Sequence, residues 1–208
     1  MSRAHRVFLA SRNHKKIAEM QRILAEHVPD VEVVGADQVA GYTEPVEDQA
    51  TFAGNALLKA RAGVQVTGLP ALADDSGLCV DALNGMPGVL SARWAGRDKD
   101  DHANNLLLLD QLHDVPDDRR GAHFACAIAF CAPGRDGEIG SEVVEGRMDG
   151  RIIREMRGSG GFGYDVVFAP DGNTCTSAEL TPEEKDAISH RGKALRAVAP
   201  IVAAAMLP

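Results

Sequence analysis

The chain lacks the sequence features that mark several broad classes of protein. No apolar run approaches the roughly 18 residues that a membrane-spanning helix requires, so we expect no membrane partner. The four cysteines show no C-x-x-C pair or other zinc-like spacing, which predicts reduced, mostly buried thiols. The net charge of −8 argues against a general nucleic-acid binder, which would carry a basic patch. A small anionic ligand stays compatible with this charge if basic residues gather locally.

Length and composition are those of an ordinary globular protein. Hydrophobic residues make up 45% and charged residues 25% of the 208 residues. This length predicts a single domain over 1–208, built from two lobes and able to bury a sizeable core. Residues 1–6 open onto an apolar run of only four residues, too short for a signal peptide, so we expect a cytoplasmic protein.

Apolar periodicity predicts alternating helices and strands at both ends of the chain, with longer strands in the middle. The predicted strands cover 7–10, 31–34, a segment ending at Asp74-Asp75, 78–80, 123–132 and 139–144, with a hairpin-like connection at 133–137. The predicted helices cover 14–27, 51–66, 100–112 and a terminal segment, with a capping box at Thr181-Pro182-Glu183-Glu184. This order predicts an α/β fold of two lobes around a mixed sheet, with the ligand in the cleft between them.

Two adjacent carboxylates, Asp74 and Asp75, stand between a short apolar run and a Ser76-Gly77 turn. Such a pair at the end of a strand usually shares a cation or takes up a proton, because adjacent carboxylates repel. Magnesium prefers oxygen ligands and needs only one or two protein carboxylates. The contiguous pair lacks D-x-D spacing, which favours Asp75 as metal ligand or general base over a nucleophile. The alternative is a solvated turn, since Asp, Ser and Gly are common there.

A second candidate site is the segment Ser11-Arg12-Asn13-His14-Lys15-Lys16, at the start of the first predicted helix. A helix N-terminus presents free N–H groups and partial positive charge, which attract anions. Lys15 and Lys16 oppose the helix dipole there, at a cost of about 0.3–1 kcal/mol each, which makes sense if an anion normally binds. The glycines of a P-loop are missing. The alternative is a capped surface helix whose lysines bind nothing.

Two further segments could contact a ligand, and each also has an ordinary structural explanation. Asn55 and Lys59 share a helix face, where the lysine could reach a phosphate or simply extend to solvent. In the segment 160–165, glycines let the backbone approach a ligand, and Phe162 could stack on a base whose edge donates to Asp165. The alternative there is a glycine-rich hairpin with core aromatics.

A basic segment, Ser189-His190-Arg191-Gly192-Lys193, follows Lys185 near the end of the chain. Buried donors of this kind can read a carbonyl oxygen and reject an amino group in its place, because two donors would then face each other unsatisfied. The alternative is an exposed basic patch on a terminal helix.

The residues of these segments, taken together and in this order, are more specific than any one segment alone. They are Ser11-x-Asn13-x-x-Lys16, Thr51-Phe52-x-x-Asn55-Ala56-x-x-Lys59-Ala60, Ala73-Asp74-Asp75-Ser76-Gly77-Leu78, Gly161-Phe162-Gly163-Tyr164-Asp165 and Ser189-His190-Arg191-Gly192. Together they closely resemble the inosine triphosphate pyrophosphatase family, which removes non-canonical purine nucleotides. The resemblance implies an elongated, two-lobed homodimer with a central cleft. It also implies magnesium-dependent cleavage of ITP, dITP or XTP between the α- and β-phosphates, releasing the monophosphate and pyrophosphate.

The resemblance also implies a role for each matching residue. Asp75 would be the general base and, with Glu47, a magnesium ligand, while Glu44 and Asp74 remain alternatives for completing the metal site. The substrate's phosphates would be bound by Ser11, Arg12, Asn13, His14, Lys15, Lys16 and Lys59, with Ser76 also contacting the substrate. The base would be bound by Phe162, Gly163, Tyr164, Asp165, Lys185, His190 and Arg191.

The chain departs from the family pattern at Met148, Met156 and Val166, where a tryptophan and two prolines are expected, and at Gly54, where an acidic residue often stands. The first three changes should affect lobe packing and the floor of the pocket rather than hydrolysis. Two other functions remain open: a pyrophosphatase for pyrimidine or modified nucleotides, and a non-catalytic nucleotide sensor. The carboxylates Asp74 and Asp75 favour an enzyme, because a sensor has less need of them.

Overall fold

The computed structural model describes residues 5–134 and 137–207. Their strands are His5–Leu9 (β1), Val31–Gly35 (β2), Ala71–Val80 (β3), Gly121–Pro133 (β4), Ile139–Ile152 (β5) and Phe168–Pro170 (β6). Their α-helices are His14–Ala25 (α1), Phe52–Thr67 (α2), Asp101–Gln111 (α3), Pro182–Ile188 (α4) and His190–Met206 (α5). The interpretations of 1–6 and of the connection 133–137 involve some residues outside the described part of the chain.

The helices begin at the polar residues that the sequence offers as caps. Asn13 Oδ1 accepts the backbone N–H of Lys15 at the start of α1, at 3.0 Å. Thr51 Oγ1 accepts the N–H of Gly54 in the first turn of α2, at 3.0 Å. The capping box predicted at Thr181 is confirmed at the start of α4. These bonds satisfy backbone donors that the first turn of a helix leaves free.

All six strands belong to one mixed sheet, in the order β2-β1-β3-β4-β5-β6. β1 pairs in parallel with β2, where Val7 lies opposite Val33, and with β3, where Phe8 lies opposite Ala71. β5 and β6 are antiparallel. The predicted α/β class with a mixed sheet is therefore confirmed.

The chain divides into two compact units, each with its own core. Unit 1 contains 1–75, 127–145 and 194–208, and its core includes Phe8, Ala60 and Ala129. Unit 2 contains 76–126 and 146–193, and its core includes Leu78, Phe124 and Phe168. Three of the positions that depart from the family pattern, Met148, Met156 and Val166, pack in or against the core of unit 2.

The position of Asp74 and Asp75 differs from the prediction. They lie in the middle of the ten-residue strand β3, which continues through Ser76 and Gly77 to Val80. The predicted strand end and the alternative of a solvated turn are both wrong. Buried residues on both sides, including Leu72 and Leu78, keep the strand in the sheet although Asp, Ser and Gly are weak strand formers.

The four cysteines are free, as predicted, and Cys126 and Cys131 are buried while Cys79 and Cys175 are partly buried. Across the described part of the chain, none of the helices combines the length and the apolar character needed to cross a membrane.

Candidate active site

The predicted site residues form two groups, each within one unit. In unit 1, strand β3, helices α1 and α2 and the loop before α2 contribute the acid–lysine cluster: Lys16, Glu47, Lys59, Asp74 and Asp75. In unit 2, the loop before β6 and helices α4 and α5 contribute the aromatic–cation cluster: Phe162, Asp165, Lys185 and Arg191.

Lys16 connects the first turn of α1 to strand β3. Its Nζ donates to both carboxylate oxygens of Asp74, at 3.0 and 2.8 Å. Asp74 is only 8% exposed, so this charge-assisted bond lies in a poorly solvated environment. The anion that offsets the lysine at the helix N-terminus is thus a carboxylate of the protein itself.

Lys59 lies on the buried face of α2, where it is 5% exposed. Its Nζ donates to Glu47 Oε1 at 2.5 Å and lies 3.8 Å from Asp75 Oδ1. The alternative of a surface lysine that extends to solvent is therefore wrong. One turn earlier on the same face, Asn55 Nδ2 donates to Asp75 Oδ2 at 2.9 Å. The helix therefore holds Asp75 with an amide and an ammonium spaced four residues apart.

The surroundings of Asp75 and Lys59 shift their proton affinities. Burial, together with the charges of Glu47 and Asp74, raises the pKa of Asp75 against the opposing effects of Lys59 and of the Asn55 hydrogen bond. Burial by itself would lower the pKa of Lys59, but the hydrogen bond to Glu47 and the charges of Asp75 and Glu47 raise it. A carboxylate with a raised pKa beside a firmly charged ammonium suits a group that must accept a proton near an anion.

Three carboxylates face two ammonium groups in the acid–lysine cluster, which leaves a negative balance. Carboxylate oxygens are ligands that magnesium prefers, so Glu47, Asp74 and Asp75 have the right chemistry for it. Within residues 5–134 and 137–207, however, no three or more His, Cys, Asp or Glu side chains are grouped so as to hold a metal by themselves. A cation bound here would share its carboxylates with lysines and complete its coordination with water or substrate.

The other predicted phosphate-binding residues lie on the exposed start of α1. Ser11 Oγ accepts the N–H of Asn13 at 3.2 Å, so these two residues shape the turn before the helix. Arg12 and Lys15 are exposed, and the His14 side chain is 83% exposed with its Nε2 3.9 Å from Asp37. The structure therefore joins Lys16 and Lys59 to the carboxylates and leaves the other basic side chains of this segment at the surface.

Phe162 is the centre of the aromatic–cation cluster and is 64% exposed. The ammonium of Lys185 lies 5.4 Å and the guanidinium carbon of Arg191 lies 5.8 Å from the centre of its ring. Both distances are within the range of a cation–π interaction. A large aromatic ring left exposed between two cations is suited to stacking on a planar ligand.

Hydrogen bonds hold the groups around this ring. Asp165 Oδ2 accepts the backbone N–H of Phe162 at 2.8 Å and forms a short ion pair with Lys185 Nζ. Arg191 Nη2 donates to Ser76 Oγ at 3.1 Å. Asp165 therefore orients both the aromatic residue and one of the two cations beside it.

The remaining predicted base-binding residues take part in packing and backbone contacts within unit 2. His190 stacks on Phe124 of the unit 2 core, with ring centres 5.0 Å apart. The Tyr164 hydroxyl donates to the carbonyl of Ser91 at 2.9 Å, and burial raises the pKa of this tyrosine. Gly163 has a φ of 62°, a left-handed conformation that suits glycine.

Sequence reasoning assigned no site role to three residues that bind site residues directly. Asn55 donates to Asp75, and its helical spacing from Lys59 and its place in the same motif are the signals that could have indicated this contact. Asp101 and Asn105 bind the backbone of Gly163, and the sequence around them indicates only an ordinary helix.

Residues 7–201 match the sequence profile of the Ham1 family, which is nearly the whole chain. This chain belongs to the Ham1 family. Among curated relatives of this Ham1 protein, the dITP/XTP pyrophosphatase of Nocardia farcinica is 59% identical over 96% of this chain and 95% of its own length. The dITP/XTP pyrophosphatase of Streptomyces coelicolor is 55% identical over 95% of this chain and 96% of its own.

Solved structures agree with this assignment. The nucleoside-triphosphatase / dITP/XTP pyrophosphatase from Mycobacterium abscessus shares 56% identity with the Ham1 chain and superposes with a TM-score of 0.79, covering 94% of this chain and 99% of that one. The Ham1 protein of Staphylococcus aureus shares 36% identity, with a TM-score of 0.86 and coverage of 96% and 99%. The family resemblance inferred from the five motifs is confirmed.

Proposed function

We propose that this Ham1 protein hydrolyses non-canonical purine nucleoside triphosphates, namely ITP, dITP and XTP, to the monophosphate and pyrophosphate. Relatives named dITP/XTP pyrophosphatase match it over almost their full length at 53–59% identity. The structural observation that carries the proposal is the contact of Asp75 with Lys59 and Asn55 inside a group of buried and partly buried carboxylates and lysines. Phosphoryl transfer asks a protein mainly for positioning and charge neutralisation, and this cluster offers both.

In the proposed reaction, Asp75 accepts a proton from the water that attacks the α-phosphorus, and the bond from that phosphorus to the bridging oxygen of pyrophosphate breaks. Lys16 and Lys59 bind the β- and γ-phosphates and balance the charge that develops on the leaving pyrophosphate. Other groups from Ser11 to Lys15 complete the phosphate site. Asp75 and Glu47 would hold magnesium, which, when bound, polarises the phosphate and orients the water.

The base would bind at the aromatic–cation cluster. Phe162 stacks on the purine, while Gly163, Tyr164 and Asp165 keep the loop in shape. Lys185 and Arg191, with His190 beside them, present donors to the 6-oxo group of hypoxanthine or xanthine. Adenine carries an amino group at this position, which would leave donors facing donors, so ATP should be a poorer substrate by about 10²-fold.

The resemblance further supports a cytoplasmic homodimer. Light scattering on the purified protein tests the dimer independently of the activity.

The proposed function is tested by incubating the protein with magnesium and, in parallel, with dITP, XTP, ITP, GTP, ATP and dUTP. We expect pyrophosphate and monophosphate from the hypoxanthine and xanthine nucleotides, little product from ATP and dUTP, and none in excess chelator. In ¹⁸O-labelled water, the label should enter the monophosphate, because the water attacks the α-phosphorus. Release of inorganic phosphate would contradict cleavage at this bond, equal specificity constants for ITP and ATP would contradict the base site, and binding without turnover would indicate a sensor.

A further inference from the structure

The loop that carries Phe162 is held by helix α3, which has no role in the reaction proposed above. Asp101, the first residue of α3, accepts the backbone N–H of Gly163 through Oδ2 at 2.7 Å. Asn105, one turn later, donates from Nδ2 to the carbonyl of Gly163 at 2.8 Å. Both polar backbone groups of Gly163 are therefore bound by side chains of the same helix. We call these two side chains the α3 clamp.

The geometry of Asn105 favours this arrangement over the flipped amide. Its Nδ2 also donates to the backbone carbonyl of Asp101 at 2.7 Å, so both neighbours of this nitrogen are carbonyl oxygens. Turning the amide over would place its oxygen against two acceptors. Asn105 is only 1% exposed, so water could not take the place of either bond if it were lost.

The clamp acts on the residue that follows the exposed aromatic ring. Gly163 adopts a φ of 62°. On the N-terminal side, the backbone N–H of Phe162 itself donates to Asp165 Oδ2. The backbone on each side of Phe162 is thus bound, although its ring is exposed. An exposed ring stacks on a base more strongly when the backbone that carries it is already ordered, because ordering that backbone on binding would cost conformational entropy.

We propose that Asp101 and Asn105 are positioning residues for base recognition: the α3 clamp fixes the two peptide groups that flank Gly163 and thereby the backbone from which the Phe162 ring extends. The inference rests on the proposed function, in which that ring stacks on the purine. The hydrogen bonds of these two side chains go to Gly163 and to the backbone of α3 itself, so the clamp should affect binding of the base and leave the chemical step alone.

The test compares Asp101→Ala with Asp101→Asn, which keeps an acceptor oxygen, and with Asn105→Ala. Asp100→Ala is the matched control, because it removes the N-cap of α3 without removing a bond to Gly163. We expect Asp101→Ala and Asn105→Ala to raise KM for dITP about tenfold, within the range that base stacking supplies, with kcat changed by less than about twofold. Asp101→Asn and Asp100→Ala should stay near the wild-type KM.

Two further measurements separate this proposal from a general loss of structure. Inhibition by inorganic tripolyphosphate, which lacks a base, should keep its Ki in every variant. Exchange of the Gly163 amide proton should speed up in Asp101→Ala and stay slow in Asp101→Asn. An unchanged KM in Asp101→Ala, or an equal rise in Asp100→Ala, would overturn the proposal. A wild-type protein that releases no pyrophosphate from dITP would overturn the proposed function instead, and the exchange experiment would still report on the clamp.

Discussion

The acid–lysine cluster and the aromatic–cation cluster use similar charged residues in different surroundings. In unit 1, Lys59 is buried and bound to carboxylates, so its charge acts where water screens it little. In unit 2, Lys185 and Arg191 flank a ring that is open to solvent. The first environment suits a reaction on charged phosphates, and the second suits recognition of an uncharged base. Substitutions in unit 1 should therefore change kcat, whereas substitutions in unit 2 should change KM.

The largest effect is expected from Asp75→Asn, which keeps the shape and the contact with Asn55 but removes the proton acceptor. Loss of a general base should lower kcat for dITP by about 10²–10⁴-fold, with KM changed far less. Steady-state release of pyrophosphate measures both quantities. Asp81→Asn is the matched control, since Asp81 is an exposed carboxylate just after the same strand. Near-normal turnover in Asp75→Asn would remove the proposed role of this residue.

The region around Asp75 shows what could be predicted from the sequence and what could not. Helix caps and the order of helices and strands followed from local patterns, whereas the roles of Asp75, Lys16 and Lys59 are implied by the family resemblance and stay predictions. The continuity of β3 through Asp74 and Asp75 could not be predicted, because local composition favours a turn and only pairing within the sheet overrides it.

Long-range contacts were the other limit. Lys16 and Asp74 are 58 residues apart in sequence, as are Asn105 and Gly163. The first pair belongs to motifs that stand out in the sequence, so both members were predicted site residues. The second pair includes Asn105, which stands in an ordinary helical sequence, and the apolar periodicity of that helix does not indicate that its amide binds a loop. Positioning residues of this kind become visible only when the fold brings them together.

A second substitution in unit 1, Lys59→Met, should have the next largest effect. It keeps the volume of the side chain but leaves Glu47 and Asp75 without their buried ammonium. We expect kcat/KM for dITP to fall about 10²-fold, as for loss of a preorganised charge that stabilises the transition state. The protein should also lose about 3 kcal/mol of stability, the lower end for breaking a buried ion pair, because Glu47 is partly exposed.

Lys99→Met is the control for Lys59→Met, since Lys99 is an exposed lysine in the loop before α3 and has no part in the proposed site. Its kcat/KM and its urea denaturation midpoint should stay close to wild type. If Lys59→Met raised KM alone and left kcat intact, Lys59 would serve only in substrate binding, and the division between the two clusters would fail.

A matched pair of glycine substitutions tests unit 2 with a smaller expected effect. Gly161 and Gly163 both have positive φ, 75° and 62°, so alanine strains either position by about 1–2 kcal/mol. Only at Gly161 would the added methyl group meet the Asp165 carboxylate and, at 3.0 Å, Lys185 Nζ. Gly161→Ala should therefore raise KM for dITP about tenfold with kcat unchanged, and Gly163→Ala should raise it less. Equal effects would show that backbone strain, rather than the ion pair, governs the base site.

The smallest expected effect concerns stability and separates burial from ion pairing around Asp75. Burial raises the pKa of Asp75 above its ordinary value, so the folded state holds this proton more tightly than the unfolded state does. The resulting stability is present at pH below the unfolded pKa of about 3.9 and is lost as pH rises through the folded pKa. Asp75→Asn cannot ionise and therefore escapes this loss. In excess chelator, its unfolding midpoint should exceed that of wild type at neutral pH by a few degrees at most, and the difference should shrink toward about pH 4. A less stable Asp75→Asn at neutral pH would mean that the attraction to Lys59 outweighs burial.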